Sequence, residues 1–131
     1  MELHAHGLMF KIGFFVPGRD GWMNCRAIVN APGVRGEFDF GMMRVDLESF
    51  RSDLEKALAV VNWPCGVRLV STDPGIDLSF RVERTGQVRG TFQFGGCGTS
   101  YAMLSGEFEM DQTFLGPLHS QLVEMLSALN S

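Results

Sequence analysis

The amino-acid sequence predicts an α+β fold: a mostly antiparallel, twisted sheet of about seven strands with two amphipathic helices packed on one face. Three observations predict it. Apolar residues recur with a period of two through most of the 131 residues. The period changes to three and four at Asp46 and again at Asp111, and short Gly/Pro turns separate the alternating runs. Turns that short join antiparallel neighbours.

Leu8, Phe10, Ile12 and Phe14 alternate with Met9, Lys11, Gly13 and Phe15, which gives a first strand. Pro17, Gly18, Asp20 and Gly21 supply a turn into a second strand, Trp22 to Asn30, with Cys25, Ala27 and Val29 on one face. Ala31-Pro32-Gly33 closes the next hairpin with type II turn chemistry, since proline presets a negative φ and glycine accepts a positive one. Arg35 to Met42 follows, with Phe38, Phe40 and Met42 set against Arg35, Glu37, Asp39 and Gly41.

Asp46 is placed to cap a helix whose apolar positions are Leu47, Phe50, Leu54, Leu58 and Val61. Glu48, Arg51, Asp53, Glu55 and Lys56 form its solvated face, with Glu48–Arg51 and Asp53–Lys56 one turn apart. Pro64 and Gly66 end it. Three strands follow, Val67 to Thr72, Ile76 to Arg84 and Gln87 to Phe94, joined by Asp73-Pro74-Gly75 and Thr85-Gly86. Gly95-Gly96-Cys97-Gly98-Thr99 leads to a last strand, Tyr101 to Met110. Asp111 then starts a helix with Leu115, Leu118, Leu122, Met125 and Leu129 on one stripe, and Pro117 marks its first turn or a kink. Residues 1–131 are read as one domain without repeats or linkers.

Eleven Lys and Arg against fifteen Asp and Glu give a formal charge of −4. That is the wrong sign for a module that must displace counterions from a phosphate backbone, so nucleic acid is not an expected partner. No Lys or Arg follows Arg89, and Glu37 to Glu55 is acid-rich, which fits either simple solubility or a basic protein partner. Cys25, Cys65 and Cys97 cannot all pair within the chain and show no C-x-x-C spacing, which points to reduced thiols in a cytoplasmic protein. Glu2 in place of a basic leader and the absence of a run of about 20 apolar residues argue against secretion and membrane insertion.

The candidate chemistry is sparse. His4 and His6 share a strand face, but no supporting ligand stands at a metal-site spacing, so no metal or cofactor is expected and an exposed, frayed N-terminus is the simpler reading. The glycines around Cys97 lack the Lys of a phosphate loop. An activated Cys97 needs a base, for which His119 would have to fold back towards it. Glu107 and Glu109 alternate as any solvent-facing pair does, which is weak ground for glycosidase chemistry. Trp22 and Tyr101 face outward as possible interface anchors.

Trp22 opening a strand, Asp46-Leu47-x-x-Phe50-x-x-x-Leu54 opening the first helix, Gly86-x-Val88 within a hairpin and Asp111-Gln112-Thr113-Phe114-Leu115 opening the last helix occur in that order. This arrangement resembles the small bacterial WapI-type immunity proteins of polymorphic toxin systems and related uncharacterised domains, over nearly the whole chain. The resemblance implies a cytoplasmic, non-enzymatic protein that binds a cognate toxin domain, often encoded beside it, and blocks it by occlusion. It carries over no toxin-contact residue, and the Gly-rich loop around Cys97 and the His-bearing N-terminus depart from it.

From the residues themselves, the expected interface is Glu37, Asp39, Glu48, Asp53 and Glu55, steering a basic partner, with Trp22 as an anchor. Two other readings stand beside it. One is a small-molecule-binding domain or thiol enzyme with a pocket near Cys97 and His119. The other is a structural subunit that self-associates into a homodimer through its sheet face.

Overall fold

The computed structural model describes residues 1–17, 22–59, 65–71, 75–95 and 103–129, and for residues 14–17 the backbone alone. Strands β1 (Glu2–Ala5), β2 (Leu8–Pro17), β3 (Trp22–Ala31) and β4 (Val34–Met43) form one antiparallel sheet in sequential order. Helix α1 (Arg44–Ala59) follows β4 directly. Strands β5 (Cys65–Val70), β6 (Ile76–Val82), β7 (Gln87–Gly95) and β8 (Met103–Asp111) form a second such sheet. A 3₁₀ turn (Gln112–Phe114) then leads into α2 (Leu115–Leu129). The α+β class and antiparallel pairing stand as expected, but the strands number eight among the described residues and divide into two sheets of four.

The additional strand is β1, where a frayed terminus was expected. Its Leu3 is fully packed in the core, and its backbone pairs with β2 from Glu2↔Lys11 to Ala5↔Leu8. Just beyond β1 the two sheets touch. His6 N–H donates to the Glu109 carbonyl at 2.8 Å, and Glu109 N–H donates to the His6 carbonyl at 2.9 Å. Gly7 closes the β1–β2 turn at φ +96°, and a Cβ there would stand 2.8 Å from the Glu107 carbonyl oxygen. Both the turn and the approach of β8 therefore require a glycine.

The inner faces of the sheets meet through aromatic rings. Phe10 of β2 stacks on Phe94 of β7 at 4.8 Å and 19°, and Phe94 also contacts Phe92 at 5.3 Å and Phe38 of β4 at 6.5 Å. Phe80 meets Phe108 at 6.2 Å and Phe50 of α1 at 6.4 Å, both edge to face. Glycines on neighbouring strands make room for these rings. Gly90 lies opposite Phe108 and Gly106 opposite Phe92, and a Cβ on either would collide with the ring it faces.

Both helices bury one stripe in the same core: Leu47, Phe50, Leu54 and Ala57 from α1, and Leu115, Leu118, Leu122 and Leu126 from α2. Spacing by seven selects Leu47 with Leu54 and Phe50 with Ala57, which leaves Leu58, expected in the core, 38% exposed at the stripe's margin. On α2, Leu126 takes the fully buried place, and Met125 and Leu129 pack partly against the core. Asp46 stabilises the start of α1 from inside the helix, because β4 runs into it without a loop. Its Oδ2 accepts the Met43 N–H at 2.9 Å, in the manner of a capping-box acid at the third helical position. Asp111 caps the 3₁₀ turn by accepting the Thr113 N–H at 2.9 Å, and Pro117 lies in the first turn of α2.

Gly33 at φ +77° fits the expected Pro32-Gly33 turn, and Ala31 pairs with Val34 across it. The Gly86 hairpin is longer than the expected two-residue loop. Glu83 to Gly86 form its turn, with Gly86 N–H donating to the Glu83 carbonyl at 2.9 Å. Expectations for Val61, Pro64, Asp73-Pro74, Cys97 and Tyr101 fall outside the described residues.

Gly7→Ala is expected to destabilise the protein by about 1–3 kcal/mol, because the new residue must hold a positive φ against a backbone oxygen. Chemical denaturation checks this. A neutral result would show that the seam between the sheets tolerates a Cβ.

Candidate interaction surface

Three of the six expected interface residues lie on the outward face of the first sheet, with Trp22 opposite Met43 and Asp39 four residues before Met43 on β4. Trp22 is 39% exposed at the start of β3, and Glu37 and Asp39 alternate outward on β4. Beside the two carboxylates stands Arg26, on which the alternation of Cys25, Ala27 and Val29 is silent. Its Nε donates to Asp39 Oδ1 at 2.8 Å and its Nη1 lies 3.6 Å from Glu37 Oε1. The sequence contains the signal for it: the Pro32-Gly33 turn sets Ala31 against Val34, and counting back along both strands places Arg26 opposite Asp39. Gly41, opposite Asn24, leaves the pleat bare beside this pair. A shallow depression of about 410 Å³ opens there, lined by Asn24, Cys25, Arg26, Asp39 and Phe40.

The other three acids lie on α1 and are not one patch. Glu48 accepts from Arg44 at 2.8 Å and Glu55 from Arg51 at 2.9 Å. These are i,i+4 pairs, in place of the expected Glu48–Arg51 and Asp53–Lys56 pairs, and they run along the flank of α1 that faces α2. Glu55 also lies 3.2 Å from His119 Nε2 on α2. Asp53 stands on the other flank, where its Oδ2 accepts the Arg68 N–H of β5 at 3.3 Å.

Internal partners set the electrostatics of these groups. The Arg26 hydrogen bond holds the Asp39 carboxyl below its ordinary range, and His119, then Arg51, do the same for Glu55. Both carboxylates are open to solvent, where each pair contributes little.

For the thiol reading, His119 has a carboxylate neighbour in Glu55, and Cys97 lies outside the described residues. The Cys25 thiol is 2% exposed, and burial pushes its pKa up to about 12. No group of three or more His, Cys, Asp or Glu side chains able to hold a metal ion occurs among the described residues. No helix among them is long and apolar enough to cross a membrane.

Two measurements check this description. Cys25 should resist iodoacetamide in the native state and react once the protein is unfolded, because a protonated, buried thiol is a poor nucleophile; native-state labelling at Cys25 would contradict its burial. For Asp39 and Glu55, a pKa depressed on folding means stability that is present above the ordinary values of 3.8 and 4.5 and is lost as pH falls through the lowered ones. Melting temperature should therefore decline below about pH 4.5, and less steeply in the Asp39→Asn, Glu55→Gln double variant. Identical slopes would show that these pairs carry none of the acid sensitivity.

Comparison with known proteins gives one match. No curated protein and no solved structure matches the chain. The immunity protein WapI-like family matches residues 2–130, nearly the full length, as the resemblance in the four sequence segments implied. The chain belongs to the WapI-like immunity protein family.

Proposed function

We propose that this protein neutralises a cognate toxin domain by binding it and occluding its working surface, without catalysis of its own. The observation that carries the reading is the family match over residues 2–130, which makes an immunity function the protein's broad role. The outer face of the first sheet supports it as the point of capture. There an exposed indole lies on the same face as two carboxylates bridged by one arginine, the combination of anchor and charge that protein interfaces favour.

In this reading Trp22 is the anchor. Glu37 and Asp39 take up basic side chains of the toxin, in competition with Arg26. Glu48, Asp53 and Glu55 on α1 add negative potential that steers a basic toxin towards this end of the molecule. The protein acts as one cytoplasmic domain, where the toxin must be met before it reaches its target.

The test is co-expression with the product of the adjacent gene, followed by affinity measurement on the purified pair. Wild-type protein is expected to rescue growth and bind with a Kd on the order of nanomolar. Trp22→Ala should raise Kd about 30-fold, equivalent to about 2 kcal/mol at an interface centre, with the melting temperature little changed. The Glu37→Lys, Asp39→Lys double variant should slow association, most strongly at low salt. If wild-type protein neither rescues nor binds, neutralisation by binding is wrong. If it binds and these variants match it, capture takes place on another face.

A further inference from the structure

The outer face of the second sheet carries a feature that the proposed capture face does not explain. Arg81 of β6 lies directly opposite Arg89 of β7 in the strand register, and Arg68 of β5 stands one row along. Like charges placed opposite each other on paired strands are destabilising, so the arrangement breaks a local rule of sheet pairing. All three side chains are strongly exposed, at 61–63%.

Between them the sheet is hollow. Gly66, Ser79 and Thr91 are the small outward residues among the arginines, and a groove of about 380 Å³ runs over them. Its walls are arginine side chains, and its bed is almost wholly apolar, over Gly66, Val67, Phe80 and Gly90. The arginines hold their own acids at longer distances than Arg26 holds Asp39. Arg68 lies 3.3 Å from Asp77, Arg81 3.5 Å from Glu83 and Arg89 3.7 Å from Glu109, against 2.8 Å for Arg26–Asp39 on the first sheet. Asp77, Glu83 and Glu109 all stand outside the groove, on three different sides of it. Arg68 engages Asp77 with two hydrogen bonds, at 3.4 and 3.3 Å, and all three pairs are longer than the about 2.7–2.9 Å of a guanidinium's strongest carboxylate contacts.

We infer that this groove is a second contact site, which takes an acidic segment of the cognate toxin and clamps its Asp or Glu carboxylates between Arg68, Arg81 and Arg89. The identity of the occupant rests on the toxin-binding reading above. The chemistry of the groove, three exposed guanidiniums around an apolar bed, does not. A long phosphate backbone suits it less well than a short acidic segment, because a strand that continues past Arg89 and Thr91 runs onto Glu109 and Glu107 one strand away.

Two arms test the inference on the full chain. The first titrates isotope-labelled protein with a blocked hexaglutamate peptide and follows backbone amide resonances. Shifts centred on Gly66, Ser79, Gly90 and Thr91 are expected, together with at least about fivefold weakening in the Arg81→Gln, Arg89→Gln variant and loss in high salt. The melting temperature of that variant should not fall, since the substitution removes a like-charge pair. No localised shift, or tighter binding of an oligothymidylate of equal charge at the same amides, overturns the carboxylate groove.

The second arm measures the same variant against the toxin. A Kd raised about tenfold or more, with Trp22 intact, supports the inference. An unchanged Kd beside an intact peptide response overturns the assignment of the groove to the toxin. Peptide shifts in a wild-type protein that does not bind the toxin at all would instead defeat the toxin reading and support the groove's carboxylate chemistry.

Discussion

Phe94 lies where the parts of the molecule converge. Its ring stacks on Phe10 of the first sheet, contacts Phe92 on its own strand and reaches Phe38 of β4. Each four-stranded sheet has one apolar face and is too small to bury it alone, so the two inner faces must find each other. Ring stacking between β2 and β7 is how they do so, and the edge-to-face chain Phe108–Phe80–Phe50 ties α1 into the same core. Since inner faces and helix stripes are committed to packing, the outer sheet faces and the outward helix flanks remain to carry charge.

The chain also manages its strand edges in a way that positions those faces. The architecture is a four-stranded meander followed by a helix, run twice. At the seam, the His6–Glu109 backbone pair joins the β1 side of one sheet to β8 of the other. At the far edge, β5 is covered by α1, and Asp53 occupies the outward Arg68 N–H. This use of Asp53 explains why it stands apart from Glu48 and Glu55: it blocks an edge donor, whereas the other two pair along the helix. Three acids that look equivalent in sequence thus divide by role according to the flank of α1 on which they fall.

Much of this was legible in the sequence, and the exceptions share a cause. Alternation identifies buried faces correctly, as at Ile76, Leu78, Phe80 and Val82, because period two is a local property of a pleated strand. It does not identify which strands share a sheet, since α1 fills the connection between β4 and β5 and no tight turn fixes their relation. The four-residue β1 was missed because a single fully buried side chain, Leu3, shows no period. Arg26 was legible through hairpin counting, and so was its bridge between Glu37 and Asp39. The contact of His119 with Glu55 spans 64 positions and depends on how the helices dock, which no local pattern encodes.

Net charge was the least informative quantity. A total of −4 describes the chain but neither outer face. On the first sheet Arg26 hydrogen-bonds Asp39 at 2.8 Å and lies 3.6 Å from Glu37. On the second sheet the arginines are held at 3.3–3.7 Å by acids beyond the groove. In the proposed reading a basic partner at the first face meets an Arg26–Asp39 pair that is open to solvent and contributes little by itself. In the same reading a carboxylate that enters the second face relieves its like-charged Arg81–Arg89 row. A partner that presents both signs at the right separation would satisfy both faces, and that dual requirement discriminates more sharply than either charge alone.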